Sequence, residues 1–421
     1  MTSYFYLLRT PKLTDKNAVS IAVLPFADLS QNQDQQYFIY GLTEQPINDL
    51  ARVPDLKVVG RSSSFQFKDK NEDLRTVGRT LGVASVLEGS VSREGDRVRI
   101  RAELVKTEDG FQLWSETYDG KIDDIFAVQD EIARAATGAL QLKLSGANAP
   151  TRERFTNAHA YEAYLRAQFF TTQGRDKADL DNAVIYAERA IKLDAEYAPA
   201  WALRSYVLDG LADSGFIDPV TGFRKAREDA ERAIELDSNG PSGYLALAWI
   251  QINRDWNWEG AELSLNKAAE LQPGSASILR FRSFLAHSQG RLKEAIGFHE
   301  QAITLDPLFA SSHSYLAWLL YSAGQYEKAL VSARRALELN PQKTYDHFSR
   351  GEVFLAQVGL KESLAEVKQE PGPSWSLTGE ALVYHALGRE PDSNAALTQL
   401  SLRGLVRARR QCGPTWNHFA V

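Results

Sequence analysis

Three arginines occupy alternate positions of a β-rich stretch, and such a row could contact the phosphates of a nucleic acid. Arg97, Arg99 and Arg101 lie in the segment 85–104, "SVLEGSVSREGDRVRIRAEL". Nucleic-acid surfaces of this kind lie in basic domains and carry aromatic residues for stacking. The segment 19–145 instead holds 20 Asp and Glu against 15 Lys and Arg, and no aromatic residue separates the arginines. The pattern favours the solvent-facing side of a hairpin, so nucleic acid is not expected as a partner.

The same segment predicts two antiparallel strands joined by a turn at Glu94-Gly95. In that register Val91 faces Val98 on an apolar side that packs toward a core. The polar side then pairs Ser92 with Arg97, Ser90 with Arg99 and Glu88 with Arg101. Cross-strand pairs of this kind each stabilise a sheet by only about 0.2–1 kcal/mol.

No pattern of residues points to catalysis. The motifs GxGxxG, GxxxxGK[ST], GxSxG and HExxH do not occur in the sequence. The stretch 61–67, "RSSSFQF", contains three serines, but no histidine lies in 19–145 to activate one. His313 and His347 occupy equivalent repeat positions, which favours packing over metal binding, and Cys412 is the single cysteine. We therefore expect no enzyme, with no catalytic residue, no cofactor and no metal.

The composition is that of a protein with two or three folded domains. The chain has 421 residues, 44% of them hydrophobic, and a net charge of −6. No apolar run approaches the roughly 18–20 residues that span a bilayer. The N-terminal stretch 1–18 does not resemble a signal peptide or an anchor. We expect a cytoplasmic protein with no transmembrane segment.

Strand and helix patterns alternate in the first third of the chain, which predicts an α/β domain with a small mixed sheet. Pro46 lies inside one helical pattern and should kink or restart that helix, whereas Gly82 should end another. Besides the hairpin, strands are predicted at 20–30, 55–63 and 113–120, and helices at 37–53, 72–83 and 123–144.

The rest of the chain is built from repeats. The segments "ERAIKLD", "ERAIELD", "NKAAELQ", "EQAITLD" and "RRALELN" each place a leucine at one position, and these leucines recur at spacings of 43, 35, 34 and 34. A period near this value, with small residues and a closing proline, is the tetratricopeptide signature, in which pairs of helices stack into a solenoid. The first spacing contains an insertion at 209–223, and another helix pair is predicted at 380–400.

Stacked tetratricopeptide repeats bind proteins or peptides in a concave groove lined by the first helices. A chaperone C-terminus is not the expected occupant, because only Arg280 and Asn253 come near the carboxylate-clamp pattern. Carried over from the family positions, the groove residues are Tyr206, Asp209, Asn253, Arg254, Arg280, Phe284, His287, Trp318 and Tyr321. Several are aromatic or arginine residues, as at binding hot spots.

The segment 20–144 resembles the TolB-like N-terminal domain of bacterial repeat proteins. The resemblance rests on "IAVLPFADLS", "YFIYGLTEQ", "LGVASVLEGSVSREGDRVRIRAELV", "LWSETYDG" and "DIFAVQDEIA", in that order. In the family this domain and the repeats often follow a class III adenylate cyclase domain or a winged-helix DNA-binding domain of the CadC/ToxR type. Neither of these is expected here, and Pro46 replaces an aliphatic residue of the family pattern.

The expected organisation is a short leader (1–18), a TolB-like domain (19–145), a linker (146–156), a repeat array (157–400) and a basic irregular tail (401–421). The tail carries four arginines and no acid, and it is typical of a shortened relative or of a reading-frame change near residue 400. The expected function is scaffolding or regulation through protein binding in the groove. Two alternatives stay open: the regulatory half of an adenylate cyclase system, and a transcription-regulator relative without its DNA-binding domain.

Overall fold

A computed structural model describes seven segments of the chain: 19–30, 36–70, 72–121, 125–140, 157–173, 177–341 and 345–402. The predicted leader and linker, and nearly all of the predicted tail, lie outside these segments. The N-terminal part is a mixed sheet with helices and the C-terminal part is a helical solenoid, as the sequence predicts. The strands are β1 (Ser20–Val23), β2 (Ala27–Asp28), β3 (Lys57–Val58), β4 (Ser85–Glu94), β5 (Arg97–Lys106) and β6 (Gln112–Lys121).

The sheet is ordered β3-β1-β4-β5-β6, and β2 pairs with β4. Strands β1, β3 and β4 are parallel where they pair, whereas β4, β5 and β6 form an antiparallel meander. Because β1 is central and parallel, both of its faces are covered. Ile21 and Val23 belong to one core, and Ala22 and Leu24 belong to the core on the opposite face.

The predicted register of the β4–β5 hairpin is wrong, because the turn lies one residue later than predicted. Glu94 pairs with Arg97, so the loop residues are Gly95 and Asp96, and Val91 faces Ile100. Gly95 has a φ of +61°. A glycine at the first loop position suits a two-residue hairpin whose twist matches its strands, which explains the shift. The apolar and polar faces are unchanged because the pairing moves by an even number of residues.

The arginine row lies on the exposed face of this hairpin, and two of its members form ion pairs. Arg99 Nε lies 2.6 Å from Asp119 Oδ1 on β6, and Arg101 Nε lies 2.6 Å from Glu103 Oε1. In the observed register Glu88 pairs with Glu103, so two carboxylates lie opposite each other on neighbouring strands. Burial, together with the charge of Glu103, raises the pKa of Glu88.

Four helices accompany the sheet: α1 (Gln36–Leu50), α2 (Arg61–Ser64), α3 (Leu74–Leu81) and α4 (Ile125–Ala139). Of the kink or restart predicted at Pro46, the restart is wrong. Helix α1 runs through Pro46, and Ala51 N still donates to Ile47 O at 3.0 Å beyond it. Gly82 ends α3 in the left-handed conformation, with a φ of +65°, as predicted.

Seven helix pairs follow within the described segments. Predicted repeat leucines end the second helices, at Leu193, Leu236, Leu271, Leu305 and Leu339. The first helices are α5 (Ala158–Gln173), α7 (Ala198–Asp213), α9 (Pro241–Ile250), α11 (Ala276–Ser288), α13 (Ala310–Ser322), α15 (Asp346–Ala356) and α17 (Pro373–Ala386). The second helices are α6 (Lys177–Leu193), α8 (Pro219–Leu236), α10 (Trp258–Leu271), α12 (Leu292–Leu305), α14 (Tyr326–Leu339), α16 (Leu360–Val367) and α18 (Glu390–Leu402).

Small residues allow the helices of each pair to approach closely. Ala261, Ala295 and Ala329 occupy one repeat position on three successive second helices, and all three are fully buried. The α17–α18 pair agrees with the prediction at 380–400, but the α15–α16 pair was not predicted. That pair lacks the repeated leucine-proline ending, so the sequence period did not reveal it.

The sheet domain packs directly against the solenoid. One hydrophobic core contains Ile21 and Leu42 from the sheet domain together with Leu165 and Tyr197 from the first two repeats. Gly41 on α1 allows this contact, because a Cβ placed there would lie 2.3 Å from the Leu165 side chain. The two parts are therefore joined by shared apolar packing.

Candidate functional site

The face formed by the first helices of the solenoid carries a row of aromatic side chains. Tyr206, Trp249, Phe284 and Trp318 are each the ninth residue of their helix, in α7, α9, α11 and α13. The spacings that separate the repeat leucines therefore also relate these four residues. Since equivalent positions of stacked repeats face the same way, they form one line, which we call the aromatic row.

The rings of the row are in contact. Tyr206 and Trp249 have centroids 6.3 Å apart, and Trp249 and Phe284 are 5.9 Å apart. Tyr315 connects the remaining members, with its centroid 4.5 Å from Phe284 and 5.4 Å from Trp318. Edge-to-face and tilted pairs at these distances are favourable aromatic geometries. Tyr206 keeps 48% of its surface exposed, so the row is open to solvent at this end.

Glu352 on α15 continues the row, because it occupies the equivalent position one repeat after Trp318. Within the described segments, its partly buried carboxylate has neither a hydrogen-bond nor an ion-pair partner. Burial without a counter-charge raises the pKa of Glu352 to about 7. The face thus offers aromatic surface beside an unpaired acid.

The histidines close to the row are neutral at physiological pH. His287 lies over the Trp318 ring with centroids 4.4 Å apart, and burial lowers its pKa. His299, on the second helix α12, is 1% exposed. Burial, together with the charge of Arg280, lowers the pKa of His299 to about 3. This part of the face is therefore aromatic and uncharged up to Glu352.

Two of the predicted groove residues, Asp209 and Arg254, bond to each other, and a third, Asn253, bonds to Trp249. The Asp209 carboxylate is 2% exposed and accepts from Arg254 Nε at 2.9 Å and from Trp249 Nε1 at 2.9 Å. Arg254 also bonds to Asp213, at 2.9 Å, and its guanidinium lies 4.2 Å from the Phe223 ring centroid. Asn253 Nδ2 donates to the Trp249 carbonyl at 3.0 Å. These contacts orient Trp249.

Arg280 lies on α11 four residues before Phe284, where the solenoid meets the sheet domain. Its guanidinium bonds to Asp306 at 3.3 Å and to Ser277 Oγ at 2.8 Å, and it lines a cavity that Tyr206 also borders. Tyr321 contacts Tyr326 of its own repeat, with centroids 5.9 Å apart. The remaining predicted residues, Phe284, His287 and Trp318, come together around Tyr315.

Sequence reasoning missed Trp249, Tyr315 and Glu352. Trp249 and Glu352 share the repeat position of Phe284 and Trp318, so the spacing of the repeats would have identified them. Tyr315 lies one repeat after Phe281, whose centroid is 5.6 Å from Trp249. Comparing every position of one repeat with the same position of the next would have identified all three residues.

Replacing Glu352 with glutamine should stabilise the protein at alkaline pH. The folded chain holds the Glu352 proton up to about pH 7, whereas the unfolded chain releases it near 4.5. The wild type therefore loses stability as pH rises across that interval. We expect Glu352→Gln to raise the free energy of unfolding by about 1–2 kcal/mol at about pH 8, and by less at about pH 5.

Urea denaturation at the two pH values measures this effect. The exposed Glu362 on α16 provides the matched control, and Glu362→Gln should follow the wild type at both. An equal effect of Glu352→Gln at both pH values would contradict the assignment of the buried proton.

The described segments contain no group of three or more His, Cys, Asp or Glu side chains that could hold a metal ion. Within the same segments, no helix combines the length and the apolar character needed to cross a membrane. Ser63 of the "RSSSFQF" stretch bonds to the Asp306 carboxylate of the solenoid at 2.6 Å. Its hydroxyl therefore holds the two domains together.

The fold defines a class of protein: a small mixed α/β domain joined to a tetratricopeptide-repeat solenoid. Residues 310–343 match the tetratricopeptide repeat family. Residues 16–135 match the second domain of HilA/YgeH-like transcriptional regulators. The TolB-like assignment of this domain is not confirmed by these matches.

Curated proteins that share parts of the sequence include an adenylate cyclase relative and a transcriptional regulator. A Rhizobium meliloti protein named "Putative adenylate cyclase 3" is 37% identical over 243 residues, which are 55% of this chain and 40% of that protein. The transcriptional regulator HilA of Salmonella typhimurium is 27% identical over 208 residues, 47% of this chain and 37% of the regulator. The chain thus spans about 40% of the length of these relatives.

Among solved structures, a chain of the APC/C hetero-tetramer Cut9–Hcn1 is 16% identical, with a TM-score of 0.43, over 57% of this chain and 42% of the matched chain.

Proposed function

We propose that this protein is a non-enzymatic scaffold or regulator that binds a protein partner along the aromatic row. The single observation that supports it is the continuous line of Tyr206, Trp249, Phe284 and Trp318 on successive first helices. Tryptophan and tyrosine dominate binding hot spots because they bury large areas at low entropic cost. Glu352 at the end of the row would favour a partner segment that places a lysine or arginine beside the aromatic residues.

The sheet domain would then couple this binding to a regulatory output. Similarity over 55% of the chain to a protein named as an adenylate cyclase favours a second candidate, the regulatory half of a cyclase signalling system. Similarity to HilA favours a further candidate, a relative of transcription regulators that lacks the DNA-binding domain. We also propose that the sheet domain is TolB-like. We propose a location in the bacterial cytoplasm.

The experiment is a crosslinked pull-down from the native host, followed by affinity measurement with the purified partner. Trp318→Ala should weaken partner binding by at least about tenfold, because a buried aromatic hot spot contributes more than about 1.4 kcal/mol. Leu263→Ala is the matched control, since Leu263 is 67% exposed on a second helix.

Equal binding by the wild type and Trp318→Ala would show that the partner does not bind along the aromatic row. A captured cyclase whose cyclic-nucleotide output changes would favour the second candidate. Binding to DNA that weakens with salt would favour the relation to transcription regulators.

A further inference from the structure

A cavity lies between the sheet domain and the solenoid, separate from most of the aromatic row. Its volume is about 880 Å³, within the range of small-molecule sites. Helices α1 and α2 form one wall, through Tyr40, Glu44 and Arg61, and the start of α11 and the loop before α13 form the other. Residues of both domains would therefore contact any ligand that enters the cavity.

Arg61 lines this cavity with donors that the protein does not satisfy. Its NH1 lies 3.5 Å from Glu44 Oε2, at the limit of a hydrogen bond, and its guanidinium lies 4.1 Å from the Tyr40 ring centroid. Its Nε has no acceptor among the described residues but is buried, so a ligand would meet the terminal nitrogens. A guanidinium carries five N–H donors, so Arg61 retains capacity for an anion.

Arg280 faces the same cavity from the solenoid. It bonds to Asp306 Oδ2 at 3.3 Å and to Ser277 Oγ at 2.8 Å, and its guanidinium is 4.8 Å from the Phe309 ring centroid. Burial and the charge of Arg61 oppose its own charge and lower the pKa of Arg280. The two guanidiniums are thus close enough to repel each other, and an anion between them would relieve that repulsion.

The carboxylates at the cavity already bond to other donors. Asp306 Oδ1 accepts from Ser63 N at 2.8 Å and from Ser63 Oγ at 2.6 Å. Glu44 Oε1 accepts from Gln168 at 3.3 Å, and burial raises the pKa of Glu44. The N-terminal residues of α11 and α13 also line the cavity, and the positive ends of their dipoles favour a negative charge there.

We propose that this interdomain cavity binds a small organic anion whose oxygens accept hydrogen bonds from Arg61 and Arg280. A phosphate monoester or a carboxylate has the required chemistry, since both bind guanidinium groups through paired oxygens. Such a ligand would contact the sheet domain and the solenoid at once, and its binding would stabilise their association.

Isothermal titration calorimetry of the full chain tests the site with three probes of similar size. Phenyl phosphate and benzoate represent the two anion types, and benzyl alcohol is the neutral analogue. At least one anion should bind and the alcohol should not, and the stronger anion identifies the ligand chemistry. Arg61→Gln and Arg280→Gln should each weaken that binding by at least about tenfold. Arg97→Gln, which changes an exposed arginine of the sheet domain, should bind like the wild type.

A cavity-filling variant separates ligand binding from damage to the interface. Ser62→Phe places a ring in the cavity while leaving both guanidiniums in place. It should abolish anion binding while retaining the wild-type melting temperature in the absence of ligand. No binding of either anion up to about 10 mM, or undiminished binding to both arginine variants, would overturn the proposal.

Discussion

An Asp306→Ala variant should be less stable than the wild type by about 3–5 kcal/mol. Asp306 is 1% exposed, and its carboxylate bonds to Ser63 of the sheet domain and to Arg280 of the solenoid. Its removal leaves a buried guanidinium and a buried backbone N–H without their acceptor. Losing one partner of a buried charge pair is among the costliest single substitutions, because the other charge remains desolvated.

The backbone on both sides of Asp306 also bonds directly to the sheet domain. Gly60 N donates to Leu305 O at 2.7 Å, and Leu308 N donates to Ser63 Oγ at 2.8 Å. A Cβ at Gly60 would lie 2.5 Å from Asp306 Cγ, so the two chain segments are in direct contact here. The loss should therefore weaken the attachment of the sheet domain as well as the local repeat.

Urea denaturation measures the stability, and amide hydrogen exchange at Ser63 and Ser64 reports the attachment. The exposed Glu300 on α12 provides the control, and Glu300→Ala should stay within about 0.5 kcal/mol of the wild type. The same small change for Asp306→Ala would show that the interdomain bonds contribute little to stability.

The solenoid was predictable because its information is local. Each of the recognised repeats ends in a leucine that closes a helix, and alanines recur at the repeat interval where the helices cross. The faces of the hairpin were equally readable, since Val91 and Val98 alternate with polar neighbours. The turn itself was placed one position early, because one glycine can occupy either loop position in the pattern "EGDR".

The packing of the two domains was not predictable from any local pattern. Ser63 and Asp306 are separated by 243 residues, and nothing in "RSSSFQF" indicates an acid from another domain. Consequently the sequence predicts Arg280 in the groove with Trp318 but gives no sign that the sheet domain lies beside it. The pattern around Pro46 predicts a kink or a restart, but the buried face of α1 maintains the helix across Pro46 despite the loss of one hydrogen bond.

The sequence predicts only part of the candidate site, because the repeat period is clear in some repeats and weak in others. Phe284 and Trp318 came from family positions, whereas Glu352 follows only when the same position is carried into a repeat that lacks the usual ending. Asp209 and Arg254 look like ligand-binding groups in the sequence. In the fold they neutralise each other, because a buried carboxylate needs a paired cation.

His299 should make the protein sensitive to acid, and its replacement by phenylalanine should remove that part of the sensitivity. Its pKa lies at about 3 in the folded chain, while an unfolded histidine takes up a proton near 6.5. The unfolded state therefore binds more protons as pH falls through that interval, and stability is lost. Between about pH 7 and about pH 5, this group should reduce the free energy of unfolding by about 2 kcal/mol.

The groups around His299 determine what the variant changes. Its Nδ1 lies 3.2 Å from Ser283 Oγ, its ring centroid is 4.9 Å from that of Tyr315, and the charge of Arg280 opposes its protonation. Phenylalanine keeps the ring packing but loses the bond to Ser283, so His299→Phe should start about 1 kcal/mol less stable at neutral pH. Because it avoids the loss of about 2 kcal/mol on acidification, it should end about 1 kcal/mol more stable than the wild type at about pH 5, so the two pH profiles should cross.

Urea denaturation at intervals from about pH 7 to about pH 5 gives both profiles. The exposed His159 provides the control, and His159→Gln should keep the wild-type pH dependence. Glu352 contributes equally to every variant, so it cancels from the comparison. Parallel profiles for the wild type and His299→Phe would contradict a buried neutral imidazole. Crossing profiles would instead show that the buried neutral imidazole of His299 accounts for part of the protein's acid sensitivity.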